Sequence, residues 1–199
     1  MYLFTKDRTF LMKRWIPALL VVPFLAAAGT AIVAKPYVRD VAHSQINFIA
    51  ESQLVDAHGT FDTWDAEIMF DAEKVEASSV VISIDAKSIN TRIDQRDGHL
   101  RSNDFFAVDS FPTITFKSTF VNRLAEDRIN ITGDLTIRGR TKRITIPSRL
   151  VFFDAARNVG RVKGQATIDR NDFGVSFQPS VNRINPEIQI QFDIAFKAK

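Results

Sequence analysis

Apolar and polar residues alternate with a period of two along most of the chain from residue 37 onward. Eight segments show this alternation, and the clearest is the last, whose apolar face carries Ile188, Ile190, Phe192, Ile194 and Phe196. Antiparallel strands that have one dry face require this pattern. Because the segments are regularly spaced and their connections are short and polar, the pattern favours a sandwich or barrel over an α/β fold.

The apolar faces of these segments are expected to line the interior of a closed, eight-stranded antiparallel barrel. Closure leaves no unpaired strand edge, and the chain contains no cysteine with which to form disulfides. Such an interior is either just filled by side chains or holds one elongated ligand, and both possibilities stay open at this point. The predicted lining residues, two of them from a loop, are Ile46, Phe48, Ile68, Phe70, Ile82, Ile84, Phe105, Phe106, Phe116, Phe120, Ile131, Leu135, Ile146 and Phe192.

The alternation stops in one long stretch between Ser88 and Pro112. The spacing of Thr91 and Asp94 is that of a capping box, which predicts a short helix that Gly98 limits to a turn or two. An irregular loop that contains two adjacent phenylalanines follows this helix. Excursions of this length between strands are usually functional or lid-like, so this one is the first place to look for a binding site.

The first 34 residues have the features of an export signal. Lys13 and Arg14 precede an apolar run from Trp15 to Ala28, and Ala26 and Ala28 form the A-x-A arrangement that signal peptidase accepts. An uncleaved anchor helix is the alternative, since residues 15–34 are long enough to span a bilayer. We therefore expect residues 1–34 to be a signal peptide or membrane anchor and residues 35–199 to form the barrel. In either case the barrel is predicted to lie outside the cytoplasm, in the periplasm.

The basic character of the chain belongs to this N-terminal segment. Its formal net charge is +3, and residues 1–34 contain Lys6, Arg8, Lys13 and Arg14 against Asp7, which also gives +3. The remaining residues therefore carry 22 basic and 22 acidic side chains and are neutral. A neutral domain gives no support to nucleic-acid binding, which we do not expect.

Several ordered motifs of the barrel segment resemble one known family. They include the opening run from Tyr37 to Phe48, TRIDQRDGHLRSNDFF at 91–106, FPTITFKS at 111–118, GDLTIRGRT at 133–141 and RNDFG at 170–174. The chain is similar in these motifs to the YceI-like proteins, the bacterial polyisoprenoid-binding, lipocalin-like family. The resemblance extends from Tyr37 to the C-terminus. One small departure is Arg39, at a position where the family usually has an apolar residue.

The resemblance implies an eight-stranded lipocalin-like barrel with a helical excursion that carries a long isoprenoid chain in its interior. The implied function is binding, and transport or storage, of this lipid, with the membrane as its source. No cofactor is expected other than the bound lipid, and a homodimer is left open. Each buried CH₂ group contributes roughly 0.8 kcal/mol, so a five-carbon isoprene unit contributes roughly 4 kcal/mol gross. The tail is therefore expected to supply the affinity and the mouth of the barrel to choose the head group.

Charged residues of the excursion are the candidates for the mouth, namely Arg92, Arg96, Asp97, His99 and Arg101. The arginines are suited to a phosphate head group. Alternatively, they form solvated or internal ion pairs with Asp94, Asp97 and Asp104. Because the acidic and basic side chains balance, the set suits a neutral quinone ring better than a pyrophosphate.

Catalysis has little support in the sequence. His43, His58 and His99 lie on three separate segments, without a paired metal-ligand spacing, a nucleophile elbow or a phosphate loop around them. We therefore expect a protein that is not an enzyme and that holds no metal. Two alternatives remain: an enzyme that acts on the bound lipid, with Asp97, His99 and Arg101 as acid–base candidates, and a scaffold with a dry barrel that serves a membrane redox partner.

Overall fold

The computed structural model describes residues 34–199, so the predicted signal or anchor lies, except for its last residue, outside the described part. One α-helix, α1 (Asp94–Arg101), interrupts a series of strands in this part. None of the helices in residues 34–199 has the length and apolar character needed to span a membrane. The strands are β1 (Lys35–Arg39), β2 (Gln45–Ser52), β3 (Ala57–Phe61), β4 (Trp64–Phe70), β5 (Ser79–Asp85), β6 (Ile89–Asn90), β7 (Thr113–Arg123), β8 (Arg128–Ile137), β9 (Arg140–Asp154), β10 (Val159–Asp169) and β11 (Ile184–Ala198).

Three pairs of short segments act as single bent strands. The three pairs are β1 with β2, β3 with β4, and β5 with β6. Both β1 and β2 pair with β11. On their other sides, β1 pairs with β4 and β2 with β3, and then β4 pairs with β5 and β3 with β6. Together with β7 to β11, these bent strands make eight, each antiparallel to the next along the chain. The pairing of β1 with β11 closes the ring. The predicted eight-stranded antiparallel barrel with a short helical excursion is therefore confirmed.

A cluster of four aromatic rings packs at one end of the barrel. Tyr37 and Phe196 are 4% and 3% exposed and meet edge to face, with their ring centroids 5.4 Å apart. Phe70 and Phe153 complete the cluster with a centroid separation of 4.9 Å. Edge-to-face and tilted contacts of this kind stabilise aromatic clusters beyond the area that they bury. Burial raises the pKa of the Tyr37 hydroxyl.

The helical excursion is fixed over the opposite end of the barrel by one arginine. Arg138 lies in the tight turn between β8 and β9, where it and Gly139 both have positive φ angles. Its guanidinium donates hydrogen bonds to the carbonyl oxygens of Asn103 (2.8 Å), Phe105 (2.9 Å) and Gly174 (2.7 Å). The turn thus connects the loop after α1 to the chain that follows β10. These contacts hold the loop after α1 beside the segment that follows β10.

The prediction that Phe120 lines the interior is wrong. Ser118 pairs with Gly133 and Phe120 pairs with Thr132, so one extra residue, Thr119, is present on β7. Such a bulge reverses which residues face inward on the rest of the strand. Consequently the side chain of Phe120 is 57% exposed on the outer wall, and Val121 takes the inward position with 4% exposure.

Candidate functional site

The barrel interior contains an apolar cavity of about 640 Å³. This volume is within the range of about 300–1,000 Å³ that is typical of ligand pockets. The interior is therefore hollow and not filled by its own side chains. The structure places thirteen of the fourteen predicted residues on the cavity lining, namely Ile46, Phe48, Ile68, Phe70, Ile82, Ile84, Phe105, Phe106, Phe116, Ile131, Leu135, Ile146 and Phe192.

Glycines in the barrel wall explain how so many phenylalanines leave the interior hollow. Phe48, Phe116 and Phe192 each lie against a glycine of the neighbouring strand, respectively Gly59, Gly133 and Gly164. A Cβ atom at Gly164 would be 2.5 Å from the Phe192 ring, and one at Gly133 would be 2.6 Å from the Phe116 ring. Because these rings occupy the space of absent side chains, they lie along the wall. The centre of the barrel stays empty as a result.

Adding a methyl group at Gly164 is expected to reduce ligand binding without adding a charge. In the Gly164→Ala variant the new Cβ displaces the Phe192 ring toward the cavity, since the backbone of the wall is held on both sides by β9 and β11. We expect binding of an apolar probe to weaken about tenfold, or ~1.4 kcal/mol. A fluorescence titration with a prenyl-chain probe measures this change.

Gly98→Ala provides the matched control for this substitution. Gly98 lies in α1, and a Cβ atom there meets nothing within 4 Å. The change is expected to leave binding unaltered and to stabilise the helix slightly, because alanine has the higher helix propensity. Equal binding by both alanine variants would show that the Phe192 ring does not control the volume of the cavity.

The cavity lining reaches the protein surface between three segments, which form its mouth. They are the turn between β2 and β3, with Val55, the start of α1, with Ile93 and Arg96, and the loop before β11, with Asn182. Two of the segments are hydrogen-bonded to each other, since the Leu54 N–H donates to Asn182 Oδ1 at 2.7 Å. The mouth is therefore a defined opening, framed on one side by the long excursion that the sequence singles out.

Local structure at the start of α1 differs from the predicted capping box. The N-cap residue is Ile93, and no side chain caps the helix. Thr91 instead donates its backbone N–H and its hydroxyl to the carboxylate of Asp97, which is 4% exposed. Arg96 donates to the Thr91 hydroxyl at 2.7 Å and to the Thr91 carbonyl at 2.9 Å. Asp97 thus serves to fix the start of the helix and is not on the cavity lining.

Two of the five predicted mouth residues, Arg96 and His99, line the cavity, whereas Arg92, Asp97 and Arg101 do not. Arg92 is exposed to solvent. Arg101 donates to the carbonyl oxygens of Lys87 and Ile89, each at 2.8 Å, and so fastens α1 to the barrel. Within residues 34–199 these three arginines form no ion pair with the aspartates of the excursion. The structure therefore contradicts the ion-pair alternative for the three arginines, and it places Arg92, Asp97 and Arg101 outside the cavity lining.

His99 presents a polar edge at an otherwise aromatic part of the lining. Its Nε2 lies 2.9 Å from Asp104 Oδ2. Its ring meets Phe105 and Phe177 edge to face, with centroid distances of 5.0 and 5.1 Å. Gln95, Arg96 and His99 are the polar side chains of α1 on the cavity lining, where they can hydrogen-bond to the polar end of a ligand whose tail enters the cavity. Over residues 34–199, histidine and acidic side chains form no cluster of three or more that could hold a metal ion.

Arg170 is a lining residue that the sequence-based prediction misses. It is 5% exposed, and its guanidinium donates to the carbonyl oxygens of Val175 (2.6 Å), Phe177 (3.0 Å), Ile184 (3.3 Å) and Asn185 (3.1 Å). Burial lowers the pKa of this arginine and the nearby Asp169 opposes the change. The available signal was its position, where an alternating strand ends and a polar loop begins.

Comparison with known proteins finds a matching family model and similar bacterial proteins. A family model described as YceI-like domain matches residues 37–196. A UPF0312 protein of Pseudomonas savastanoi is 33% identical over 172 residues, which cover 83% of this chain and 88% of that protein.

Two solved structures share the fold. The crystal structure of BcnA from Burkholderia cenocepacia is 24% identical and has a TM-score of 0.73, over 79% of this chain and 98% of that one. A polyisoprenoid-binding domain from Saccharophagus degradans, implicated in plant cell wall breakdown, is 20% identical and has a TM-score of 0.67, over 82% of this chain and 98% of that one.

Proposed function

The chain belongs to the YceI-like family, and from this premise we propose that it binds one long apolar lipid, an isoprenoid quinone or polyprenyl chain, inside its barrel. The observation that carries the proposal is the hollow, apolar cavity of about 640 Å³, which has the aromatic cluster at one end and reaches the surface at the other. The relative from Saccharophagus degradans, which shares the fold, is a polyisoprenoid-binding domain.

Burial of the tail supplies the affinity in this proposal. An isoprene unit that leaves water contributes roughly 4 kcal/mol, so two or three units offset the free energy lost when the ligand is immobilised. A smooth apolar lining discriminates weakly between similar chains, because one methylene is worth only about 1–3 kcal/mol. The barrel is therefore expected to bind isoprenoids of different chain lengths.

The mouth favours a neutral head group. Arg96 already donates hydrogen bonds from two of its nitrogens to Thr91, and His99 is hydrogen-bonded to the carboxylate of Asp104. A pyrophosphate would therefore meet one partly engaged arginine and a nearby negative charge. A quinone carbonyl needs only one hydrogen-bond donor, which Arg96 or the side-chain amide of Gln95, both on the cavity lining, can provide.

The role that fits this site is transport or storage of the lipid in the periplasm, with a membrane as the source. Export rests on the N-terminal segment with its apolar run and small-residue end. Catalysis on the bound lipid has less support, because Asp97 and Arg101 make hydrogen bonds that hold α1 in place and face away from the cavity lining. A dry scaffold has less support too, since an interior built for packing alone would leave no space of this size.

Lipid extraction from the purified full-length protein, followed by mass spectrometry, tests the proposal. We expect about one isoprenoid molecule per barrel, with a neutral quinone as the main species. Recovery of prenyl phosphates alone would contradict the quinone form and leave the isoprenoid form standing. A protein that yields no lipid and takes up none from detergent micelles would contradict both.

A further inference from the structure

Four large apolar side chains are exposed around the mouth of the cavity. Leu54 and Val55 lie in the turn between β2 and β3, Ile93 precedes α1, and Val181 lies in the loop before β11; they are 66%, 65%, 51% and 69% exposed. We call these four residues the apolar rim. Single exposed apolar residues are common on protein surfaces, but several around one opening indicate a contact surface.

The rim residues are held together and adjoin the cavity. Val55 and Ile93 are themselves part of the cavity lining. The backbone N–H groups of Gln53 and Leu54 donate to the Arg183 carbonyl and to the side chain of Asn182, which places Leu54 beside Val181. Val55 and Ile93 thus extend from the outside of the mouth to the cavity lining.

We propose that the apolar rim docks this protein on the surface of a lipid bilayer and inserts there, so that the ligand passes between membrane and cavity without crossing water. The inference rests on the proposed function, because a cavity for a long isoprenoid must be filled from the place where such lipids dissolve. Insertion of exposed Leu, Ile and Val side chains to the level of the head groups is the way in which peripheral proteins hold to membranes.

The charges beside the rim decide which kind of membrane it fits. Arg92 and Asp94 flank Ile93, Asp56 follows Val55, and Arg183 lies two residues after Val181, so these four charges balance. Arg96 at the mouth is balanced by Asp97, since both side chains bond to Thr91. The carboxylate of Asp56 accepts a hydrogen bond from the Ser52 N–H, 2.9 Å away. Docking is therefore driven by apolar insertion. We expect the protein to bind zwitterionic and anionic bilayers with similar affinity, and salt to change this affinity little.

A fluorescent label at the rim tests insertion directly. The chain has no cysteine, so Val181→Cys creates a single site for an environment-sensitive dye. With phosphatidylcholine vesicles, its emission is expected to shift to the blue and to increase on the order of threefold as the dye enters the interface. Val41→Cys is the matched control, since Val41 is equally exposed, at 69%, but lies in the bend between β1 and β2. An unchanged signal at position 181, or an equal change at both positions, would overturn the docking proposal.

A pair of double variants tests whether docking speeds the transfer of lipid from a membrane into the barrel. Leu54→Ser with Val181→Ser alters two rim residues that are outside the cavity lining, and Leu124→Ser with Val41→Ser makes the same change at exposed positions elsewhere. Transfer of a fluorescent geranylgeranyl probe from phosphatidylcholine vesicles into the barrel is expected to slow about tenfold in the rim variant only. Binding of the same probe from detergent micelles is expected to remain unchanged in both.

Uptake from micelles and transfer from vesicles together distinguish a failure of this inference from a failure of the proposed function. If wild-type protein takes up no probe from micelles, the proposed function fails, whatever the vesicle results show. If uptake from micelles is normal and transfer from vesicles is equally fast in the rim variant, only the docking proposal fails. A dimer of the wild-type protein in light scattering that the rim variant loses would instead assign the rim to a second copy of the chain, and would also overturn docking.

Discussion

Phe116→Glu is expected to abolish binding of an apolar ligand, whereas Phe120→Glu leaves binding unchanged. The two residues have the same type and lie four positions apart on β7. Phe116 is 5% exposed and lines the cavity, while the bulge at Ser118–Phe120 turns Phe120 to the outer wall with 57% exposure. A carboxylate inside the barrel keeps water around itself or becomes protonated, and either state removes apolar contacts from the ligand. Affinity is expected to fall at least about a hundredfold, or ~2.7 kcal/mol.

Titration of both variants with a prenyl-chain probe measures the effect, and circular dichroism reports whether each variant is folded. Ile190→Trp covers the case in which Phe116→Glu does not fold. Ile190 is a partly exposed residue of the cavity lining, so a larger apolar ring there occupies ligand space without a buried charge. We expect folded protein with binding reduced about tenfold. Full binding by both interior variants would mean that the ligand lies outside the barrel.

The different positions of Phe116 and Phe120 show what alternation in a sequence can and cannot predict. The period of two identifies all eight strands, because each has one face toward the apolar interior and one toward water. The same period places Phe120 inside, since a one-residue bulge leaves no mark in an alternating pattern. Which residue is the extra one depends on the partner strand, where Ser118 is opposite Gly133.

The hollow interior was likewise not predictable from composition. Abundant phenylalanine is compatible with a filled core and with a lined cavity. The structure distinguishes them through the cross-strand register, which brings Phe192 opposite Gly164 and Phe48 opposite Gly59. These glycines are visible in the sequence, but the rings that cover them come from neighbouring strands. Only the pairing of strands shows that the aromatic rings lie along the wall.

The mouth was predicted in its location and only partly in its residues. The break in alternation identifies the excursion, of which Arg96 and His99 reach the cavity. Spacing alone suggests that Thr91 caps a helix, but its hydroxyl is used by the buried carboxylate of Asp97. A polar side chain in a loop has several partners within reach, and the tertiary fold selects among them. Sequence therefore locates such a site more reliably than it assigns roles within it.

Arg170→Met is expected to destabilise the whole barrel more than removal of any surface ion pair. The methionine keeps most of the apolar stem, but the carbonyl oxygens of Val175, Phe177, Ile184 and Asn185 lose their shared donor. Hydrogen bonds to a charged group contribute about 1.5–3 kcal/mol each when buried, and water in the cavity can replace some of them. We expect the free energy of unfolding to fall by about 3–5 kcal/mol and Tm by roughly 10 °C.

Urea unfolding of the wild type and of two further variants distinguishes the contribution of the four Arg170 hydrogen bonds to stability from the contribution of its charge. Arg170→Lys keeps the charge but cannot reach four carbonyl groups at once, so its stability should lie between those of the wild type and Arg170→Met. Arg143→Met removes an exposed pair with Asp134 and is expected to change stability far less than Arg170→Met does, because solvent screens the pair. Because two of the four carbonyls belong to the loop before β11 and the other two to the first residues of β11, Arg170→Met should also raise amide exchange over 174–185. Wild-type stability together with unchanged exchange would show that Arg170 does not hold this loop, and the rigidity of the mouth would then have to come from the contacts of Arg138.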